Sequence, residues 1–270
     1  MKQKDALAIL KAGKNAYITG PAGSGKTYVL NEYISYLKNR GVSVSVTAST
    51  GIAATHIGGV TIHSWSGIGI KDYLSESDIE NLMQKEHLYK KIEKTRVLVI
   101  DEVSMLSSRL FDFVERICRA IKRNEEPFGG MQIVLSGDFF QLPPISRDGG
   151  GSEFINKSDA WKNMDVRVCY LDEQFRHDDL SLQRILNEMR GCIVSGETRA
   201  LLSEMCGKEC KEKILPTRLY THNADVDSEN ERELNKLPGN GHIYQMTARG
   251  KGSVVASLKK RIRAPEKLVL

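Results

Sequence analysis

The stretch GPAGSGKT, residues 20–27, constrains this chain more than any other. An apolar run, NAYITG, leads into it, and a helical pattern, YVLNEYISYLKNR, follows. Strand, glycine-rich turn and helix in that order match G-x-x-x-x-G-K-[ST], a loop whose backbone N–H groups turn inward around phosphate oxygens. The helix N-terminus adds positive partial charge, Lys26 a mobile cation for the β- and γ-phosphates, and Thr27 a hydroxyl suited to a magnesium ion. Gly20, Pro21, Ala22, Gly23, Ser24, Gly25, Lys26 and Thr27 are therefore the expected contacts of a bound nucleotide.

Short apolar runs at 15–20, 42–49, 96–101, 131–138 and 166–171 alternate with helical patterns, the signature of a parallel sheet covered by helices. Several of these runs end in polar motifs, where ligands of open α/β sheets sit. In RVLVIDEVSML, four apolar residues bury a strand and an acidic pair emerges at its tip. Asp101 is suited to hold Mg²⁺ and Glu102 to orient or deprotonate an attacking water. In GDFFQLPPI, Gln141 presents a neutral amide that can bond a γ-phosphate oxygen and lose that bond on hydrolysis, or can position water. Pro143 and Pro144 stiffen the chain after it. Upstream, Gln3 either reads an adenine edge with its amide or is a surface residue of an N-terminal helix.

Residues 70–95 carry no strand signal and read as a polar loop followed by a helix, a candidate inserted subdomain. After 176 the pattern becomes helices at 178–190 and 196–205, a strand at RLYTH (218–222) and a polar helix at 224–237. The expected division is 1–175 and 176–270. The chain has 40% apolar residues, enough for an ordinary core. Thirty-nine Lys and Arg against 34 Asp and Glu leave +5, which permits a polyanionic partner without requiring one. With neither a signal-peptide core nor a membrane-length apolar run, the reading is cytoplasmic and not membrane-bound. The five cysteines include no C-x-x-C pair, so a disulfide framework or zinc ribbon is not suggested, and Cys206 and Cys210 read as ordinary thiols.

Taken together, QKDAL, GPAGSGKT, TASTGIAATHIGGVTIHSW, LVIDEVSML, PFGGMQIVLSGDFFQLPPI, LDEQFRH and, more loosely, LPTRLYTHNADVDSEN resemble the Pif (petite integration frequency) DNA helicases of the RecD-like branch of superfamily one. The resemblance implies an α/β fold: a RecA-like P-loop NTPase with a parallel β-sheet flanked by helices, followed by a partial second RecA-like domain. It implies ATP and Mg²⁺ as cofactors and 5′→3′ movement on single-stranded DNA with unwinding of duplex and fork DNA, in DNA repair, recombination or genome maintenance. Carried over, Gln3 reads adenine, Lys26 and Thr27 hold phosphate and metal, Asp101 and Glu102 hold Mg²⁺ and activate water, and Gln141 senses the γ-phosphate. Arg176, in EQFR, resembles the arginine that reaches into the ATP cleft. His177 departs from the family's usual glutamine.

The segment TASTGIAATHIGGVTIHSW is the expected DNA track. Its hydroxyls suit phosphate contact and its rings offer stacking faces, so Thr47, Thr50, Thr61, His63 and Trp65 are the candidate contacts, with a core role the competing reading for Trp65. The basic residues Arg249, Lys251, Lys259, Lys260, Arg261, Arg263 and Lys267 form a second, weaker candidate. The family's β-rich module and last two motifs are not in the chain, so a fragment or a naturally short protein is expected. That leaves two functions: an ATP-driven helicase, or a truncated nucleotide-switched ATPase that binds single-stranded DNA without unwinding. A small-molecule kinase would share the phosphate loop but gives no reason for GDFFQLPP.

Overall fold

In a computed structural model, residues 1–69, 73–144, 153–175, 179–208, 217–239, 241–259 and 267–269 are described. The chain divides into two compact units, Met1–Thr198 and Arg199–Leu270. Residues 179–198, expected from the sequence to open a second domain, fall in the first of these units.

The first unit is built on one sheet. Its strands are β1 (Ala16–Thr19), β2 (Val44–Ala48), β3 (Val60–Thr61), β4 (Val97–Asp101), β5 (Gln132–Ser136) and β6 (Arg167–Tyr170), in the order β3-β2-β4-β5-β1-β6. Every pairing in it is parallel, as expected where helical crossovers return the chain between strands. Five strands fall within the apolar runs of the sequence. The two-residue β3 is too short to show any alternation.

Helices cover both faces: α1 (Gln3–Lys11), α2 (Lys26–Asn39), α3 (Gly51–His56), α4 (Ile62–Ser66), α5 (Glu76–Met83), α6 (Glu86–Lys94), α7 (Ser108–Lys122), α8 (Asp159–Asn163) and α9 (Leu180–Arg190). The period-two geometry of a strand sends Ala16, Ile18, Val97, Val99 and Val134 into a core shared with Leu10, Leu30 and Tyr33 of α1 and α2. Tyr17, Leu98, Ile100, Ile133 and Leu135 enter the opposite core, with Phe111, Val114, Ile117, Cys118 and Ile121 of α7. The spacing of those α7 residues makes one apolar stripe, and Ser107 caps the helix by accepting from Leu110 N–H.

Within 70–95 the structure has two helices, α5 and α6, where one was expected. Ile79, Leu82, Leu88 and Ile92 lie in the same core as Trp65 and Leu98, so the segment is continuous with the main core. The second unit holds α11 (Asn223–Leu234), α12 (Gly252–Lys259) and the antiparallel pair β7 (Ile243–Gln245) and β8 (Lys267–Val269); α10 (Gly196–Met205) crosses the division. RLYTH is irregular, not the expected strand. Tyr220 and Leu219 are exposed there, so no apolar face is buried to hold a strand. No helix among the described residues is long and apolar enough to cross a membrane.

Two expected DNA contacts are core residues instead. Trp65 is 2% exposed and packed in the core with residues of α5, α6 and α7. Thr47 is fully buried, and its hydroxyl donates to Val99 O at 2.7 Å, tying β2 to β4. Trp65→Ala should destabilise the protein by about 3–5 kcal/mol, the usual cost of emptying a buried aromatic site. Urea denaturation measures this; a cost near zero would place the ring outside the core.

Candidate functional site

All six strands point their carboxyl ends to one edge, and the residues singled out by motif converge there. The loop after β1 is held open by glycine. Gly20 has φ +143, and a Cβ on it would stand 2.3 Å from the Leu171 carbonyl oxygen, a contact with backbone that cannot yield. Leu171 N–H in turn donates to Thr19 O, so β6 locks the loop's start. Gly25, at φ +82, sits at the N-terminus of α2 and against Gln3. Gln3 Nε2 donates to Ser24 O at 3.3 Å, so α1 brings this amide against the loop. Phe175 N–H donates to Gly23 O at 2.9 Å, closing the loop from a third side.

Three features of this loop fit a phosphate group. Glycine backbone forms the cradle. The Ser24 hydroxyl is buried, without a hydrogen-bond partner. Lys26 Nζ folds back to donate to Gly20 O at 2.9 Å and Pro21 O at 3.0 Å, bonds that an anion can take over. Burial, the foremost influence, pulls the Lys26 ammonium below its ordinary value; Asp138, Glu102 and Asp101 oppose that pull and Arg190 adds to it. Ala22 and Thr27 are exposed, whereas Pro21 is buried.

Asp101 ends β4 beside Ala48 of β2 and is 7% exposed. Burial pushes its carboxyl above the usual range, against the Glu102 N–H that donates to it at 3.0 Å and the charge of Lys26. Glu102 adopts left-handed backbone, φ 54 and ψ 46, uncommon for a residue with a side chain. Ser49 holds it there, donating from Oγ to Glu102 O at 2.6 Å.

Gln141 follows β5 on a tight turn in which its N–H donates to Asp138 O at 2.9 Å. Its Nε2 donates to Asp138 Oδ2 at 3.3 Å, and the same oxygen accepts from Arg190 Nη1 at 2.6 Å. Burial acts first to raise the Asp138 pKa, but the Arg190 guanidinium, the Phe140 N–H and the Gln141 amide together hold it below the ordinary range. Asp138 and Arg190 were not among the expected site residues. Asp138 lies inside the GDFFQ motif, while Arg190 is 52 residues away and carries no local signal.

Thr50 and Thr61 stand at the ends of β2 and β3 as N-caps, accepting from Ala53 N–H at 3.2 Å and Ser64 N–H at 3.3 Å. A capping hydroxyl uses an acceptor and keeps its O–H to donate. Both are half-buried, as is His63 on α4. These three are partly accessible, whereas Thr47 and Trp65 are buried. Arg176 and His177 lie outside the described residues, as do Lys260, Arg261 and Arg263.

The description "PIF1-like helicase" is that of the family model matched by residues 3–189. A relative from Psychrobacter sp. (strain PRwf-1), named ATP-dependent DNA helicase Pif1, is 46% identical across 100% of this chain and 42% of its own length. The crystal structure of Pif1 helicase from Candida albicans superposes with a TM-score of 0.85 at 34% identity, covering 99% of this chain and 62% of that one. The Pif1 helicase from Bacteroides in complex with ADP-AlF3 and ssDNA gives 0.70 at 26% identity, with 99% and 62% covered. This chain therefore spans less than half of the curated relative's length.

Asp138 predicts an acid sensitivity of defined sign. A carboxylate whose folded pKa is lowered contributes stability that is present above its unfolded value, about 3.9, and is lost as pH falls through the folded value. Asp101, raised by burial, works in the opposite sense. Urea midpoints between pH 6 and pH 3 should therefore fall less in Asp138→Asn than in the unaltered protein; equal falls would show that this carboxylate is not the titrating group.

Proposed function

The chain belongs to the PIF1-like helicase family, and on that premise we propose that it carries the ATP-hydrolysing motor of a helicase acting on single-stranded and forked DNA. The observation that carries this reading is the convergence of Lys26, Asp101, Glu102 and Gln141 on one sheet edge, with Thr50, Thr61 and His63 at the ends of neighbouring strands of the same sheet.

In this reading the loop 20–27 cradles the phosphates of ATP, and Gln3 presents its amide to the adenine edge from α1. Lys26 exchanges the Gly20 and Pro21 carbonyls for β- and γ-phosphate oxygens, a change from neutral to charged acceptors that strengthens each bond. Thr27 and Asp101 would hold Mg²⁺, which supplies neutralising charge for the phosphates. The raised pKa of Asp101 fits a carboxylate whose ionised form gains from a nearby cation. Glu102 orients the attacking water and takes its proton, its aim set by the left-handed backbone that Ser49 secures. Gln141 bonds a γ-phosphate oxygen before hydrolysis and releases it afterwards, moving the turn that Pro143 and Pro144 extend. Arg176 would add positive charge to the leaving phosphate.

Lys26→Ala should lower ATP turnover on the order of 10²-fold or more, as loss of a preorganised charge does. Turnover should rise on adding single-stranded DNA, and log K for that DNA should fall by about 0.7 per neutralised phosphate for each log unit of salt. A steady-state ATPase assay with a salt titration measures both. Undiminished turnover in Lys26→Ala would refute the site, and affinity flat in salt would refute the DNA track. A strand-displacement assay then separates a motor that unwinds from one that only moves on or binds the strand.

A further inference from the structure

Asp138 is a carboxylate that the proposed reaction does not use, yet its side chain is only 3% exposed and stands among the groups that do. Its Oδ1 accepts from Phe140 N–H at 3.2 Å, and its Oδ2 is shared by the Gln141 amide and the Arg190 guanidinium. Among the charges acting on Lys26, that of Asp138 is the strongest. One buried anion therefore bonds the amide assigned to the phosphates and acts through its charge on the cation assigned to them. Arg190, at the end of α9 and 18% exposed, is fixed on it from two sides: the 2.6 Å ion pair and the Phe140 ring, 4.4 Å from the guanidinium carbon.

A buried carboxylate stripped of its cation takes whatever donors remain. Here the Phe140 N–H and the Gln141 amide already donate to it, and Lys26 is the cation on which its charge acts. Stripped of its guanidinium, the Asp138 carboxylate would also repel the polyphosphate itself. We propose that Arg190 is a positioning residue of the nucleotide site: by taking the shorter bond to Asp138 Oδ2 and neutralising that carboxylate, it leaves the longer Gln141 bond open to exchange for a phosphate oxygen and keeps Lys26 from being drawn to Asp138. The proposal rests on the ATPase reading above. It assigns Arg190 no contact with the nucleotide, and its effect passes entirely through Asp138.

Because the effect passes through one charge, removing that charge should relieve the loss. In the full chain, Arg190→Ala should weaken binding of a ribose-labelled fluorescent ATP analogue about tenfold or more and lower kcat as well, a change equivalent to losing one charged interaction. Arg190→Lys keeps the charge but not the fork or the ring contact, and should recover part of both. Asp138→Asn placed in the Arg190→Ala background should restore analogue affinity toward that of the unaltered protein. The asparagine keeps an oxygen for Phe140 N–H and has no charge with which to hold Lys26. An arginine that merely anchored α9 would show no such rescue, and its losses would track melting temperature. A double variant no better than Arg190→Ala, or an Arg190→Ala protein that binds and turns over normally, overturns the proposal while leaving the ATPase reading intact. Failure of the unaltered protein to bind the analogue overturns both. Should Arg190→Ala not fold, the lysine variant and the double variant carry the same comparison.

Discussion

Parallel strands cannot be joined by tight turns, so each must be followed by a helix that packs back on the sheet. In this protein that requirement buries both faces: Val97 and Val99 of β4 face one core while Leu98 and Ile100 face the other. With no face left to solvent, polar chemistry can leave the sheet only at its edges or strand ends. The parallel direction sends Thr19, Ala48, Asp101 and Ser136 to the same end. The loop from 20 to 27, the acidic pair and the Gln141 turn are neighbours for that reason, although long stretches of chain separate them.

Charge at this edge is partly buried, where an uncompensated group is costly, and Asp138 and Arg190 form an ion pair there. Lys26 lies under the influence of three carboxylates and one guanidinium, and its present partners are carbonyls of its own loop. Carbonyls are weaker acceptors than phosphate oxygens, so the ammonium is held ready without being tied. Asp138 differs from Asp101 in this respect. The first is saturated by Arg190, Phe140 and Gln141, and its pKa is lowered; the second keeps a raised one because burial outweighs its partners. A saturated carboxylate acts as a fixture, and an unsaturated one is suited to a metal ion.

Elements with strong local signals were legible in the chain. The runs at 15–20, 96–101 and 131–138 are short, apolar and bounded by turn or motif residues, as buried strands are, and α7 announces itself by its stripe. RLYTH has the β-branched and aromatic content of a strand but is exposed and irregular. Composition cannot supply the neighbour that a strand needs. β3 is the converse: two residues with no pattern, recruited because β2 offers Thr47 and Ala48 as partners. At 70–95 a polar surface masked four apolar residues at helical spacing that complete the main core. For Thr47, membership of a hydroxyl-rich segment suggested exposure, and for Trp65 the sequence left a core role and a DNA contact both open, whereas burial is set by what packs around them.

The amino-acid sequence by itself determined the class of fold, the phosphate loop, the acidic pair and the Gln141 turn, since each is a short stretch whose chemistry is complete within a few residues. Tertiary structure alone decided which members of the 47–65 segment reach the surface. It also decided that Gln3 meets the loop at Ser24, that the Leu171 carbonyl excludes any side chain at residue 20, and that Arg190 closes on Asp138. Such contacts join residues far apart in the chain, and their energy depends on distance and burial, quantities that exist only once the helices have packed on the sheet.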